Sequence, residues 1–125
     1  MPERRLATIL LVDDEQDIII TVKHALKQFG FDVDAFTEPR AALEGYRPGK
    51  YDRIIADIRM PGMTGFQFAR EIWDSDPDAK FCFLSAFEIH DAEVRKVLPS
   101  LKRYCFITKP LLPSELVNHL NGHLQ

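Results

Sequence analysis

The chain has 125 residues, 46% of them hydrophobic and 28% charged, and a formal net charge of −3. That length suits one domain able to bury its own core, and the acidic balance excludes nucleic-acid binding through bulk charge. Cys82 and Cys105 are too few for a disulfide scaffold. No apolar run approaches the roughly 18 residues of a membrane span. The short apolar stretch after the basic start ends in Asp13-Asp14-Glu15, which is not a signal peptide. The expectation is one cytoplasmic domain over residues 1–125, with no membrane contact and no direct nucleic-acid partner.

Ala7 to Val12 is a continuous apolar run ending in acids, as a strand buried on both faces should read. From Gln16 the period changes: Ile18, Val22, Ala25, Leu26 and Phe29 recur at helical spacing, and Gly30 marks a stop. Asp32 to Phe36 reads as a more polar strand suited to a sheet edge. Pro39 opens a helix whose buried side holds Ala42, Leu43 and Tyr46, and a turn cluster follows at 47–50.

Arg53 to Ala56 is the third strand, ending at Asp57. After the loop Met60-Pro61-Gly62-Met63, Thr64 is placed to cap a helix with Phe66, Ala69, Ile72 and Trp73 on its apolar side. Phe81 to Leu84 is the fourth strand, ending at Ser85. Asp91 to Leu98 reads as a fourth helix broken by Pro99. Tyr104 to Ile107 is the fifth strand, and Ser114 caps a last helix carrying Leu116, Val117, Leu120 and Leu124. Strands alternating with helices predict an α/β fold: a five-stranded parallel sheet, doubly wound as (βα)5, in the flavodoxin-like order 2-1-3-4-5.

Ligands of such sheets bind beyond the carboxyl ends of the strands, where strand order reverses. Asp13 and Asp14, Asp57, Ser85 and Lys109 all follow strand ends. Three clustered carboxylates repel one another unless a cation joins them. A hard divalent ion, Mg²⁺ or Mn²⁺, suits an all-oxygen set and is commonly shared with phosphate oxygens. Lys109 adds a positive point charge and Ser85 a donor. The rim is therefore expected to carry metal-assisted phosphoryl transfer with one Asp as nucleophile.

Four motifs, Leu11-Val12-Asp13-Asp14-Glu15, Asp57-Ile58-Arg59-Met60-Pro61-Gly62-Met63-Thr64-Gly65, Ser85-Ala86 and Lys109-Pro110, occur in this order at successive strand ends. In these motifs the chain resembles the receiver domain of two-component response regulators. The resemblance implies that Asp57 accepts a phosphoryl group from a sensor histidine kinase or phosphotransfer protein. It also implies that Asp14 holds Mg²⁺ directly, Asp13 mainly through a bound water, and Arg59 through its backbone carbonyl, with Asp57 also a ligand. Ser85 and Lys109 would bind the phosphoryl group, and Phe106 would be the aromatic switch. The side chains of Arg59 and Phe87 would govern water's access to the phosphoryl group, and Lys109-Pro110 would be cis. Partner docking or homodimerisation would use the face made by the fourth helix, fifth strand and fifth helix. Arg95, Lys96, Lys102 and Arg103 make that region basic.

On this reading the domain catalyses its own phosphorylation and dephosphorylation without being a conventional turnover enzyme. A stand-alone receiver would make its output by docking to another molecule, whereas a piece of a longer regulator would end at Gln125 where a linker to an output domain begins. The alternatives are a metal-dependent aspartyl phosphatase and an unphosphorylated receiver-like binding module. Arg59 stands where the phosphatase needs a second Asp, and the binding module's usual mark, loss of the acidic residues or the lysine, is absent. A flavodoxin-like electron carrier is disfavoured because Asp13-Asp14-Glu15 would repel a flavin phosphate. Reduced thiols are expected for the cysteines, and His119 and His123 are expected as helix-end cations.

Overall fold

The computed structural model describes residues 7–85, 104–109, 114 and 116–118. Five strands, β1 (Thr8–Val12), β2 (Asp32–Phe36), β3 (Arg53–Asp57), β4 (Phe81–Ser85) and β5 (Tyr104–Thr108), form one parallel sheet in the order β2-β1-β3-β4-β5. Helices α1 (Gln16–Gln28), α2 (Pro39–Glu44) and α3 (Gly65–Ser75) connect them. Residues 114 and 116–118 are also helical. The predicted helix at 91–98 and the basic residues Arg95, Lys96, Lys102 and Arg103 lie outside the described residues, as do Phe87, Pro110, His119 and His123.

The sheet is covered on both faces. Leu10, Val12, Ile54, Ala56, Phe81 and Phe83 pack with Ala42 of α2 and with Phe66, Phe68, Ala69 and Ile72 of α3. The alternate residues Ile9, Leu11, Ile55, Leu84 and Ile107 pack with Ile19, Val22 and Leu26 of α1 and with Leu116 and Val117. Period-two alternation sends successive side chains to opposite faces, so strands covered twice must be apolar throughout. β1, β3 and β4 are buried along nearly their whole length, whereas the edge strand β2 is mostly half-exposed.

Three details depart from the expectations. Ile19, not Ile18, is the buried member of its helical turn, and Phe29 is 56% exposed. α1 ends before Phe29, Gly30 turns the chain with φ 91°, and Phe31 takes the buried place instead. The cysteines are joined as a disulfide rather than present as thiols: Cys82 and Cys105 are register partners on β4 and β5, with Cα atoms 4.5 Å apart. Arg53 is the third. It opens β3 at only 2% exposure, its Nε and Nη2 have no hydrogen-bond partner among the described residues, and burial pulls its pKa down.

Entry into α3 places the end of β3. Thr64 accepts a hydrogen bond from the Gln67 amide (3.1 Å) and its own amide donates to the Gln67 side chain (2.9 Å), a reciprocal cap. The Gly65 amide donates to the Ile58 carbonyl (2.8 Å). A Cβ at Gly65 would run into the Asp57 carbonyl, so only glycine lets the helix start this close to the strand.

Candidate phosphoryl and metal site

Asp13 and Asp57 extend β1 and β3 at the carboxyl edge, beside the point where strand order reverses. The Asp13 amide donates to the Phe36 carbonyl (3.2 Å), and the Ile58 amide donates to the Leu84 carbonyl (3.0 Å). At the next strand pair the Lys109 amide donates to the Ser85 carbonyl (2.7 Å). Main-chain bonds thus join the ends of β1 and β2 and those of β3, β4 and β5, with β1 and β3 paired up to Val12 and Ala56.

Asp13, Asp14 and Asp57 each bring a carboxylate oxygen within 4.8 Å of the others. Asp13 is fully buried and Asp57 is 5% exposed, while Asp14 is exposed. Burial, then the charge of Asp13, pushes the Asp57 carboxyl up to about 6, against the pull of Lys109. Asp13 is also raised, first by burial, although the Glu15 amide donates to its Oδ1 (3.0 Å).

Lys109 Nζ lies 3.0 Å from Glu15 Oε1, 3.2 Å from Asp13 Oδ2 and 3.5 Å from Asp57 Oδ2. Its Glu15 contact is aligned as a hydrogen bond. Asp13 Oδ2 is within ion-pair reach yet has no aligned donor among the described residues. Burial disfavours the Lys109 ammonium, but the Glu15 hydrogen bond and the charges of Asp13 and Asp57 outweigh it and raise its pKa. One ammonium therefore faces three acids, Glu15, Asp13 and Asp57, with exposed Asp14 beside the two aspartates. A buried oxygen without a donor, beside two further carboxylates, fits a small hard cation such as Mg²⁺ or Mn²⁺.

Of the expected residues, Asp13, Asp14, Asp57 and Lys109 come together. Ser85 ends β4 at 6% exposure, and Arg59 is exposed just past Asp57. Phe87 lies outside the described residues. Phe106 is half-buried, its ring 5.6 Å from Phe83 and 6.3 Å from Phe66 between centroids. From there a row of rings runs through Phe83 and Phe81 (5.5 Å) to Trp73 (4.9 Å). Trp73 is therefore linked to Phe106 by successive ring contacts. Glu15 is the one member of the cluster that sequence reasoning did not single out. Its contact joins positions 94 residues apart, and no local pattern reveals it.

The chain matches the response regulator receiver domain family over residues 9–121. It is 33% identical over 114 residues to the chemotaxis protein CheY of Thermotoga maritima, covering 90% of this chain and 93% of that one. It also matches the aerobic respiration control sensor protein ArcB of Escherichia coli, 39% over 64 residues, which is 51% of this chain but only 8% of ArcB. Among solved structures, chemotaxis protein CheY4 of Vibrio cholerae superposes with a TM-score of 0.84 at 27% identity, covering 95% and 99% of the two chains. The receiver domain of the sensor histidine kinase PA1611 of Pseudomonas aeruginosa, which has a magnesium ion coordinated in its active site cleft, superposes with a TM-score of 0.81 at 22% identity, covering 96% and 98%. With its sheet order, its acidic rim and these matches, the chain belongs to the response regulator receiver domains.

Proposed function

We propose that this domain takes a phosphoryl group from the phosphohistidine of a sensor histidine kinase or phosphotransfer protein onto Asp57, in a Mg²⁺-dependent reaction. The observation that carries the reading is the convergence of Asp13, Asp14 and Asp57 within 4.8 Å, with the Lys109 ammonium 3.5 Å from Asp57 Oδ2. Asp13 and Asp14 would hold the ion with Asp57 and the Arg59 carbonyl, as the magnesium in the PA1611 receiver suggests by analogy. Bound there, Mg²⁺ would neutralise the clustered acids and the charge that builds on the transferring phosphoryl oxygens.

The chain's own groups account for the rest. An Asp57 carboxylate oxygen attacks phosphorus, the P–N bond of the donor breaks, and its electron pair leaves with the imidazole. Burial keeps Asp57 poorly solvated, so little water must be stripped from the nucleophile. Lys109 then pairs with one phosphoryl oxygen, and the Ser85 hydroxyl donates to another. The Lys109 amide on the Ser85 carbonyl holds these two strand ends together. Drawing Ser85 toward the phosphoryl group would give the half-buried Phe106 room to move inward, a local charge change biasing a two-state element. The face that β5 and the predicted fourth and fifth helices would form would then dock an output partner or a second copy. We place the domain in the cytoplasm, where such kinases present their phosphohistidine.

Incubating the protein with Mg²⁺ and a small phosphodonor, then weighing it intact, tests this reading. One added phosphoryl mass, lost in Asp57→Asn and absent in chelator, supports it. No gain, or a gain that persists in Asp57→Asn, overturns it.

A further inference from the structure

Lys109 is held at its tip by a residue outside the three-aspartate cluster. Glu15 Oε1 is the nearest acid oxygen to Nζ, at 3.0 Å, and its contact has hydrogen-bond alignment. Glu15 is the N-cap of α1, yet its side chain makes no capping hydrogen bond. Its backbone does the local work instead: the carbonyl accepts from the Ile19 amide (3.1 Å), and the amide donates to Asp13 Oδ1 (3.0 Å). The side chain is thereby free to reach across the rim.

Exposure separates Glu15 from the other acids around Lys109. Its side chain is 59% exposed, against 0% for Asp13 and 8% for Asp57. The buried pair cannot be resolvated without opening the site, whereas Glu15 returns to water at little cost. A phosphoryl group on Asp57 brings new charge and new acceptor oxygens within reach of the same ammonium. Lys109 must then trade an acceptor, and the exposed one is the cheapest to release.

We infer that Glu15 is a positioning residue, a releasable latch that holds Lys109 in the unphosphorylated state and competes with the phosphoryl group for it. This rests on the phosphoryl-accepting reading above and adds a residue that sets how readily that state forms.

The test is a beryllofluoride titration at saturating Mg²⁺ of the wild type, Glu15→Gln and Glu15→Asp. Removing one charge-assisted contact at a partly exposed site is expected to tighten binding in Glu15→Gln by about fivefold. Glu15→Asp keeps the charge but shortens the reach, and should fall between the other two. In the metal-free proteins, the Lys109 side-chain NMR resonances should move in Glu15→Gln, reporting the released ammonium independently of any loaded site. Equal affinities of wild type and Glu15→Gln would overturn the latch. So would a Glu15→Asp variant identical to wild type, since the effect would then be long-range charge rather than a direct hold. A wild type that binds no beryllofluoride overturns the phosphoryl-accepting reading itself, and the latch with it. Urea melts of the variants check that the fold is retained, which the absence of a side-chain cap at Glu15 predicts.

Discussion

Replacing Asp57 with asparagine in metal-free buffer is expected to stabilise the fold. The Asp57 carboxyl has an ordinary value of 3.8 and is pushed up to about 6, chiefly by burial and then by Asp13. An acid raised on folding binds more protons in the folded chain than in the unfolded one across that interval, so stability falls as pH rises through it. Above about pH 6 the full penalty applies, and the distance between 3.8 and about 6 makes it about 3 kcal/mol. Asparagine has nearly the same shape and carries no charge to desolvate. Urea melts should therefore show the variant more stable by about 3 kcal/mol near pH 7.5, falling to about 1 kcal/mol near pH 4.5. Saturating Mg²⁺ should narrow the gap at the higher pH by stabilising the wild type. An asparagine variant no more stable than wild type near neutrality, or a gap that ignores pH, would refute the claim that the site is an acid cluster held under strain.

The other predictions concern the metal and the strand-to-helix turn. Mg²⁺ at about a hundred times its dissociation constant should stabilise the wild type by about 2.7 kcal/mol, read as a rise in denaturation midpoint that a chelator reverses. Gly65→Ala sets a methyl against the Asp57 backbone; it should cost about 1–3 kcal/mol and slow phosphorylation, because relieving the clash moves the acceptor. Thr64→Ala removes the reciprocal cap of α3 and should cost about 1 kcal/mol in urea melts while leaving phosphorylation intact.

The sheet and most of the site were legible because both rest on strong signals. Doubly covered strands must be apolar end to end, so Ile9–Val12, Ile54–Ala56 and Phe81–Leu84 announce themselves, and the residue after each run belongs to the rim. What stayed hidden depends on phase, redox state or long range. The run Ile18-Ile19-Ile20 carries no helical phase, so the buried isoleucine could not be picked from it. Gly30 marks a stop, but nothing in the local pattern signals the hand-over of the core place from Phe29 to Phe31. Arg53 looks like an ordinary polar strand start, although the fold buries it. Cys82 and Cys105 fall on neighbouring strands, but whether close thiols bond is a redox question that no residue pattern records. Glu15 meets Lys109 only after the whole sheet has assembled.

The central claim is that Asp57 itself carries the phosphoryl group. Borohydride reduces an aspartyl phosphate to homoserine, so trapping the Mg²⁺-treated, phosphodonor-treated protein and sequencing its peptides reads the acceptor directly. Homoserine at position 57, and only there, is the expected result. Homoserine at Asp13, Asp14 or another carboxylate, or none in protein shown to hold phosphate, would contradict the account.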